Sequence, residues 1–137
     1  GPIRQVLEQK ASKMERVVFT GWQDPESFYR DASILCLTSD FEGWGMVLTE
    51  AMTFGAVPVA FNSYAAITDI IDDGKTGMFF YEQTADAIVN AVKEFETMGS
   101  APFKYEDCRS WAERFSEERF KREIKEFVEE KYKEFNK

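Results

Sequence analysis

Short apolar runs alternate along this chain with stretches that place an apolar residue every third or fourth position. Arg16-Val17-Val18-Phe19-Thr20 is a run of strand length closed by Gly21, and Ser33-Ile34-Leu35-Cys36-Leu37 is a second. The second is continuously apolar, which suits a parallel sheet covered on both faces. Val57 to Phe61 predicts a third strand, with Pro58 near its start, and Met78-Phe79-Phe80-Tyr81 a fourth. Helical signals lie between them. Ile3, Val6 and Leu7 mark a short first helix, and Pro25 opens residues 26–32 after the capping candidate Asp24. A helix from about Met46 to Phe54 is ended by Gly55, and residues 66–71 form another. Asp73-Gly74-Lys75-Thr76-Gly77 is turn chemistry, followed by Ala85, Ile88, Val89, Val92 and Phe95 at helical spacing. A linker with Gly99, Ser100 and Pro102 precedes two terminal helices within residues 103–137. The last helix carries Phe120, Ile124, Phe127, Val128, Tyr132 and Phe135 on one stripe, read as core or as packing against another domain. Alternating strands and helices predict an α/β fold with a doubly wound parallel sheet, whose ligands bind at the carboxyl ends of strands.

Composition narrows this picture. The chain has 137 residues, enough for one domain with a real core. Apolar residues at 44% and charged residues at 31% are a globular balance, and 13 Phe predict a ring-rich core. A formal charge of −8 argues against a nucleic-acid or anionic-membrane surface, so any bound anion needs a local cradle. No apolar run is long enough to cross a bilayer, and the start does not read as a secretory signal. Cys36 and Cys108 lack metal or redox spacing and are expected to be buried free thiols in a reducing compartment. The absence of histidine removes the commonest general base and zinc ligand.

The chemistry concentrates in Phe41-Glu42-Gly43-Trp44-Gly45-Met46-Val47-Leu48-Thr49-Glu50. A glycine loop opening a helix offers free backbone N–H groups and a positive dipole end, which suits phosphate. Carboxylates on either side suit sugar hydroxyls, since each accepts two or more hydrogen bonds. Taken singly, the glycines are a tight turn and each glutamate a solvated residue. Together they describe a nucleotide-sugar site. Glu50 lies beside a stripe of Val47, Ala51 and Phe54, where it needs a partner: a ribose diol, or a Lys or Arg. Asp40-Phe41-Glu42 resembles a metal-binding pair but has neither a third ligand nor a histidine, and reads as a loop cap plus a site carboxylate. Trp44 is placed to stack on a ligand ring or to shield the loop. Arg4, Lys10 and Lys13 read as a solvated face.

The residues 16–21, the Tyr29-Arg30-Asp31-Ala32 step, residues 39–52 and Gly55-Ala56-Val57-Pro58-Val59-Ala60 follow one pattern. Asp69 to Gly77 and Arg114-Phe115-Ser116 continue it. The pattern resembles the nucleotide-binding, C-terminal half of retaining GT-B glycosyltransferases, the glycogen-synthase-like group 1 family. The resemblance covers nearly the whole chain and implies a Rossmann-like half of a GT-B fold. It implies that Glu42 contacts donor-sugar hydroxyls and is the catalytic-site carboxylate. It also implies that Glu50 binds the ribose diol and that loop residues Gly43 and Trp44, with the amides of Gly45, Met46 and Val47, face the sugar and diphosphate. The resemblance further implies that Gly21 and Trp22 lie near the nucleotide base. The implied reaction is sugar transfer with retained configuration, without a bound metal or other cofactor. By the same resemblance a UDP-sugar is the favoured donor, no protein nucleophile is firmly implied, and the leaving phosphate is often assigned the role of base.

Two departures qualify the match. Ser63-Tyr64-Ala65-Ala66 stands where many members carry paired glycines, a form similar to members building lipopolysaccharide or capsule. The family's cationic phosphate clamp and acceptor-binding half lie upstream of residue 1, where Gly1-Pro2 matches the end of a glycine loop or is an expression scar. The expectation is a single donor-binding domain over residues 1–137, inactive alone. Its partners are a nucleotide sugar, an N-terminal acceptor domain and a glycan or lipid-linked acceptor, in the cytoplasm or at the inner membrane face. A nucleotide-sugar epimerase half-domain and a non-catalytic nucleotide-binding or interaction module are the alternatives.

Overall fold

The computed structural model describes residues 2–63, 65–99 and 102–136. Gly1, Tyr64 and Ser100, read above in the glycine-loop match, the paired-glycine position and the linker, lie outside them. Three strands, β1 (Ile34–Leu37), β2 (Val57–Phe61) and β3 (Met78–Phe80), form a parallel sheet in the order β1-β2-β3. The helices are α1 (Arg4–Ala11), α2 (Glu26–Asp31), α3 (Met46–Thr53), α4 (Ala65–Ile70), α5 (Ala85–Met98), α6 (Tyr105–Ala112) and α7 (Glu117–Phe135). A 3₁₀ turn, Glu113–Phe115, joins the last two.

β2 is the central strand and is buried over its first four residues. A proline there is unusual, because it cannot donate to a ladder. Val57 donates its N–H to the Ser33 carbonyl at 3.0 Å, so the next nitrogen, that of Pro58, faces the β3 side. The β3 ladder begins only at Val59 opposite Met78, so no donor is lost.

Alternate strand residues feed opposite faces. Leu35, Leu37, Ala60 and Phe79 meet Leu48 and Met52 of α3, Ile67 and Ile70 of α4, and Trp111 and Ala112 of α6. Ile34, Val59, Phe61 and Phe80 meet Ala87, Ile88 and Ala91 of α5. Helices on both faces of a parallel sheet are the doubly wound arrangement. The seam of α3 and α6 is close at Gly55, whose φ of 81° is left-handed. A Cβ there would lie 1.8 Å from the Tyr105 ring, so glycine is required on two counts.

Three expectations are corrected. Residues 16–20 form no strand. The run makes no ladder with the edge of β1 and rests by α1, where Ile3, Leu7, Val18 and Phe19 line a shallow hollow. Apolar content alone does not make a strand; Val18 is 78% exposed. Secondly, Cys36 is exposed and only Cys108 is buried. Cys36 shares a face with Ile34, but α5 covers that face over β3 and leaves the end of β1 open. Thirdly, the stripe on α7 is not core. No described residue of α7 is buried, and the helix touches the rest of the chain mainly through the 3₁₀ turn.

The two thiols should therefore separate chemically. Partial burial of its sulfur raises the Cys36 thiol above its ordinary value; burial, then the nearby Asp107 charge, raises Cys108. A disulfide reagent is expected to modify one thiol per folded chain, more slowly than free cysteine, and the second only in denaturant. Prompt modification of both would contradict this packing.

Candidate functional site

The site is built where β1 ends and α3 begins, at the carboxyl edge of the sheet. Residues 38–45 leave β1 and turn into the helix at Gly45, whose φ of 94° and ψ of 44° are left-handed. Any other L residue would be strained there. Gly45 is the N-cap and brings no side-chain cap. The first backbone bond of α3 runs from the Leu48 N–H to the Gly45 carbonyl at 2.9 Å. Among the described residues, the amides of Gly45, Met46 and Val47 meet no acceptor. They stand at the positive end of the helix dipole, ready for an anion.

The two carboxylates are each held by a hydroxyl. Ser39 donates its O–H to Glu42 Oε1 at 2.7 Å, so Glu42 is fixed half-buried in the middle of the loop. Tyr29 of α2 donates its O–H to Glu50 Oε2 at 3.2 Å across 21 residues of sequence. Among the described residues neither glutamate forms an ion pair, so the anticipated protein partner of Glu50 is a tyrosine rather than a Lys or Arg. α2 is placed for this by its own start. The Glu26 N–H donates to Asp24 Oδ1 at 3.1 Å, and the Tyr29 ring packs on Ala51, Ala56 and Phe54.

Burial first, then the Glu50 charge and the hydrogen bond to it, push the Tyr29 phenol above its ordinary value. The folded chain then holds this proton more tightly than the unfolded one. Its stabilising effect is whole below about pH 10 and is lost as pH climbs through the raised value. Thermal melts over a rising alkaline series should fall more steeply for the native chain than for Tyr29→Phe. Parallel curves would show that the Tyr29 phenol holds its proton no more tightly in the folded chain than in the unfolded one.

Glu50 and Tyr29 open into a cleft of about 520 Å³ lined also by Asp24, Met46, Thr49 and Phe115. A second hollow of about 540 Å³ shares Met46 and Thr49 and is walled by Trp44 and Phe115. Trp44 meets the Phe115 ring edge-on at 5.6 Å. Glu42 and Gly43 stand on the loop outside both spaces. Gly21 and Trp22 are not brought into the cleft either. Gly21 lines the hollow beside α1, and Trp22 is 97% exposed. Arg4 pairs with Glu8 at 2.7 Å, as a solvated face would.

Tyr29, Ser39, Thr49 and Phe115 are site residues that the sequence reading did not single out. All four stand inside segments that carry the resemblance, but nothing in spacing shows which side chain reaches across to Glu50. Among the described residues no three or more His, Cys, Asp or Glu side chains gather as a metal site. No described helix is long and apolar enough to cross a membrane.

The family model for Glycosyl transferases group 1 matches residues 4–115. A Klebsiella pneumoniae protein, described as an uncharacterized 41.2 kDa protein in the cps region, is 33% identical over 101 residues. The match covers 72% of this chain and 28% of that protein. The lipopolysaccharide 1,6-galactosyltransferase of Salmonella typhimurium is 28% identical over 107 residues, 74% of this chain and 29% of its own length. This chain therefore spans under a third of either relative. The crystal structure of Anabaena HepE in complex with UDP-glucose superposes with a TM-score of 0.79 at 20% identity, over 92% of this chain and 36% of that one.

Proposed function

This chain belongs to the group 1 glycosyl transferases, and from that premise we propose that it forms the donor site of a retaining hexosyltransferase. The enzyme moves a sugar from a nucleoside diphosphate to a glycan or lipid-linked acceptor. The observation that carries the reading is the start of α3. Three unpartnered amides at the positive end of a helix stand one turn before a half-buried carboxylate that opens into a cleft. Glu50 takes the ribose hydroxyls, and the amides of Gly45, Met46 and Val47 take the diphosphate. Glu42, across the glycines, takes hydroxyls of the sugar.

In this reading the chemistry is electrostatic. Breaking the sugar–phosphate bond leaves charge on the diphosphate, and fixed N–H dipoles stabilise that charge without reorganising. The leaving phosphate receives the acceptor's proton, so no histidine is needed. A uridine nucleotide is favoured, supported by the UDP-glucose bound in the HepE structure. A role in lipopolysaccharide or capsule synthesis is supported by the names of the two bacterial relatives, and we propose the cytoplasm or the inner membrane face as its place. The chain spans under a third of the two relatives, and we propose that acceptor binding belongs to the part of such a protein that it does not match.

Equilibrium binding of UDP-, GDP- and ADP-sugars tests this directly. One nucleotide series is expected to bind, and only weakly, because the cationic clamp and half the cleft are supplied elsewhere. No release of nucleoside diphosphate from the donor is expected from this chain alone. Turnover above background would overturn the donor-site-only reading, and equal indifference to all three series would favour a non-catalytic module.

A further inference from the structure

We propose that Tyr29 is a positioning residue for ribose recognition: its hydroxyl fixes one oxygen of Glu50 and leaves the other for a ribonucleotide diol. The inference rests on the donor-site reading and adds a residue to it. Tyr29 is 6% exposed, and its ring is held between α2 and α3 by Ala51, Ala56 and Phe54. Its O–H reaches Glu50 Oε2 at 3.2 Å, and both residues line the same cleft. No other described group hydrogen-bonds this carboxylate.

The direction of the bond matters. An ionised carboxylate only accepts, so the phenol must donate, and Oε1 keeps its full acceptor capacity. A cis-diol brings two O–H donors, which a carboxylate held in one rotamer meets without first ordering a long side chain. Phenylalanine would fill the same seam, since the ring and its packing are unchanged. What the hydroxyl adds beyond packing is the orientation of Glu50. This separates a positioning role from a structural one.

The test compares UDP with 2′,3′-dideoxyuridine 5′-diphosphate by competition binding to this chain. The native chain is expected to prefer UDP by about tenfold or more, the size of a charge-assisted contact. Tyr29→Phe should shrink that preference by roughly threefold to tenfold through weaker UDP binding, with the dideoxy probe unchanged. Glu50→Ala should abolish the preference, and adding Tyr29→Phe to it should change nothing further. If Tyr29→Phe weakens both probes equally, or leaves the preference intact while Glu50→Ala removes it, the positioning role is wrong and the donor site stands. If the native chain does not distinguish the probes, or binds neither, the ribose reading of the cleft falls and this inference with it.

Discussion

Glu50→Ala is expected to weaken binding of the preferred nucleotide sugar by roughly tenfold to a hundredfold, the value of about 1.5–3 kcal/mol in hydrogen bonds to a charged group. The stability cost should be small by comparison. Glu50 is half-buried in the second turn of α3 and makes no ion pair, so its removal leaves one phenol without its acceptor. Glu50→Gln separates the two effects. Its amide oxygen still accepts from Tyr29, so the melting temperature should hold, while the lost charge still weakens nucleotide binding. Isothermal titration beside thermal melts reads both. A glutamate that merely solvates the helix surface would give unchanged affinity in both variants.

Leu48→Ala should have the largest effect on stability. Leu48 is 0% exposed and packs with Met52, Ile67 and Ile70 beneath the sheet. Emptying such a site costs about 3–5 kcal/mol, transfer and cavity together. For a domain of this size that lowers the melting temperature by roughly 10 °C or more. Leu48 also stands directly after the amide-bearing first residues of α3, so a loosened helix should lose its anion cradle as well. Phe127→Ala on α7 is the informative contrast, because that ring is exposed. Its effect on this chain should stay within about 0.5 kcal/mol. Comparable losses from the two substitutions would mean that the α7 stripe is core after all.

The strands that formed were legible because burial dictates their composition. Residues 34–37, 57–61 and 78–80 are apolar where helices cover them, and the Gly45 and Gly55 punctuation marks both ends of α3. Residues 16–20 carried the same signal and failed, since a strand needs a neighbouring ladder and no periodicity reports one. The α7 stripe misled for a related reason. Amphipathic spacing records that a face wants cover, not that this chain provides it. Cys36 was read from its apolar neighbours, whereas its exposure depends on how far α5 reaches across the sheet.

The site was half legible. Glu42, the glycines and Glu50 stand in one continuous segment, so strand–loop–helix order alone places an anion cradle between two acceptors. The hydroxyls that hold those acceptors come from elsewhere. Ser39 is three residues away and Tyr29 twenty-one, and only the docking of α2 on α3 brings the second into reach.

The central claim is that the start of α3 and Glu50 together bind a nucleotide sugar. Backbone-amide NMR of this chain during titration with UDP-glucose tests it most directly. The account predicts that the resonances of Gly45, Met46, Val47 and Glu50 move together and saturate, and that Glu50→Ala largely abolishes the response. Saturable shifts confined to α7 or to the hollow beside α1, with the α3 start unmoved, would contradict it.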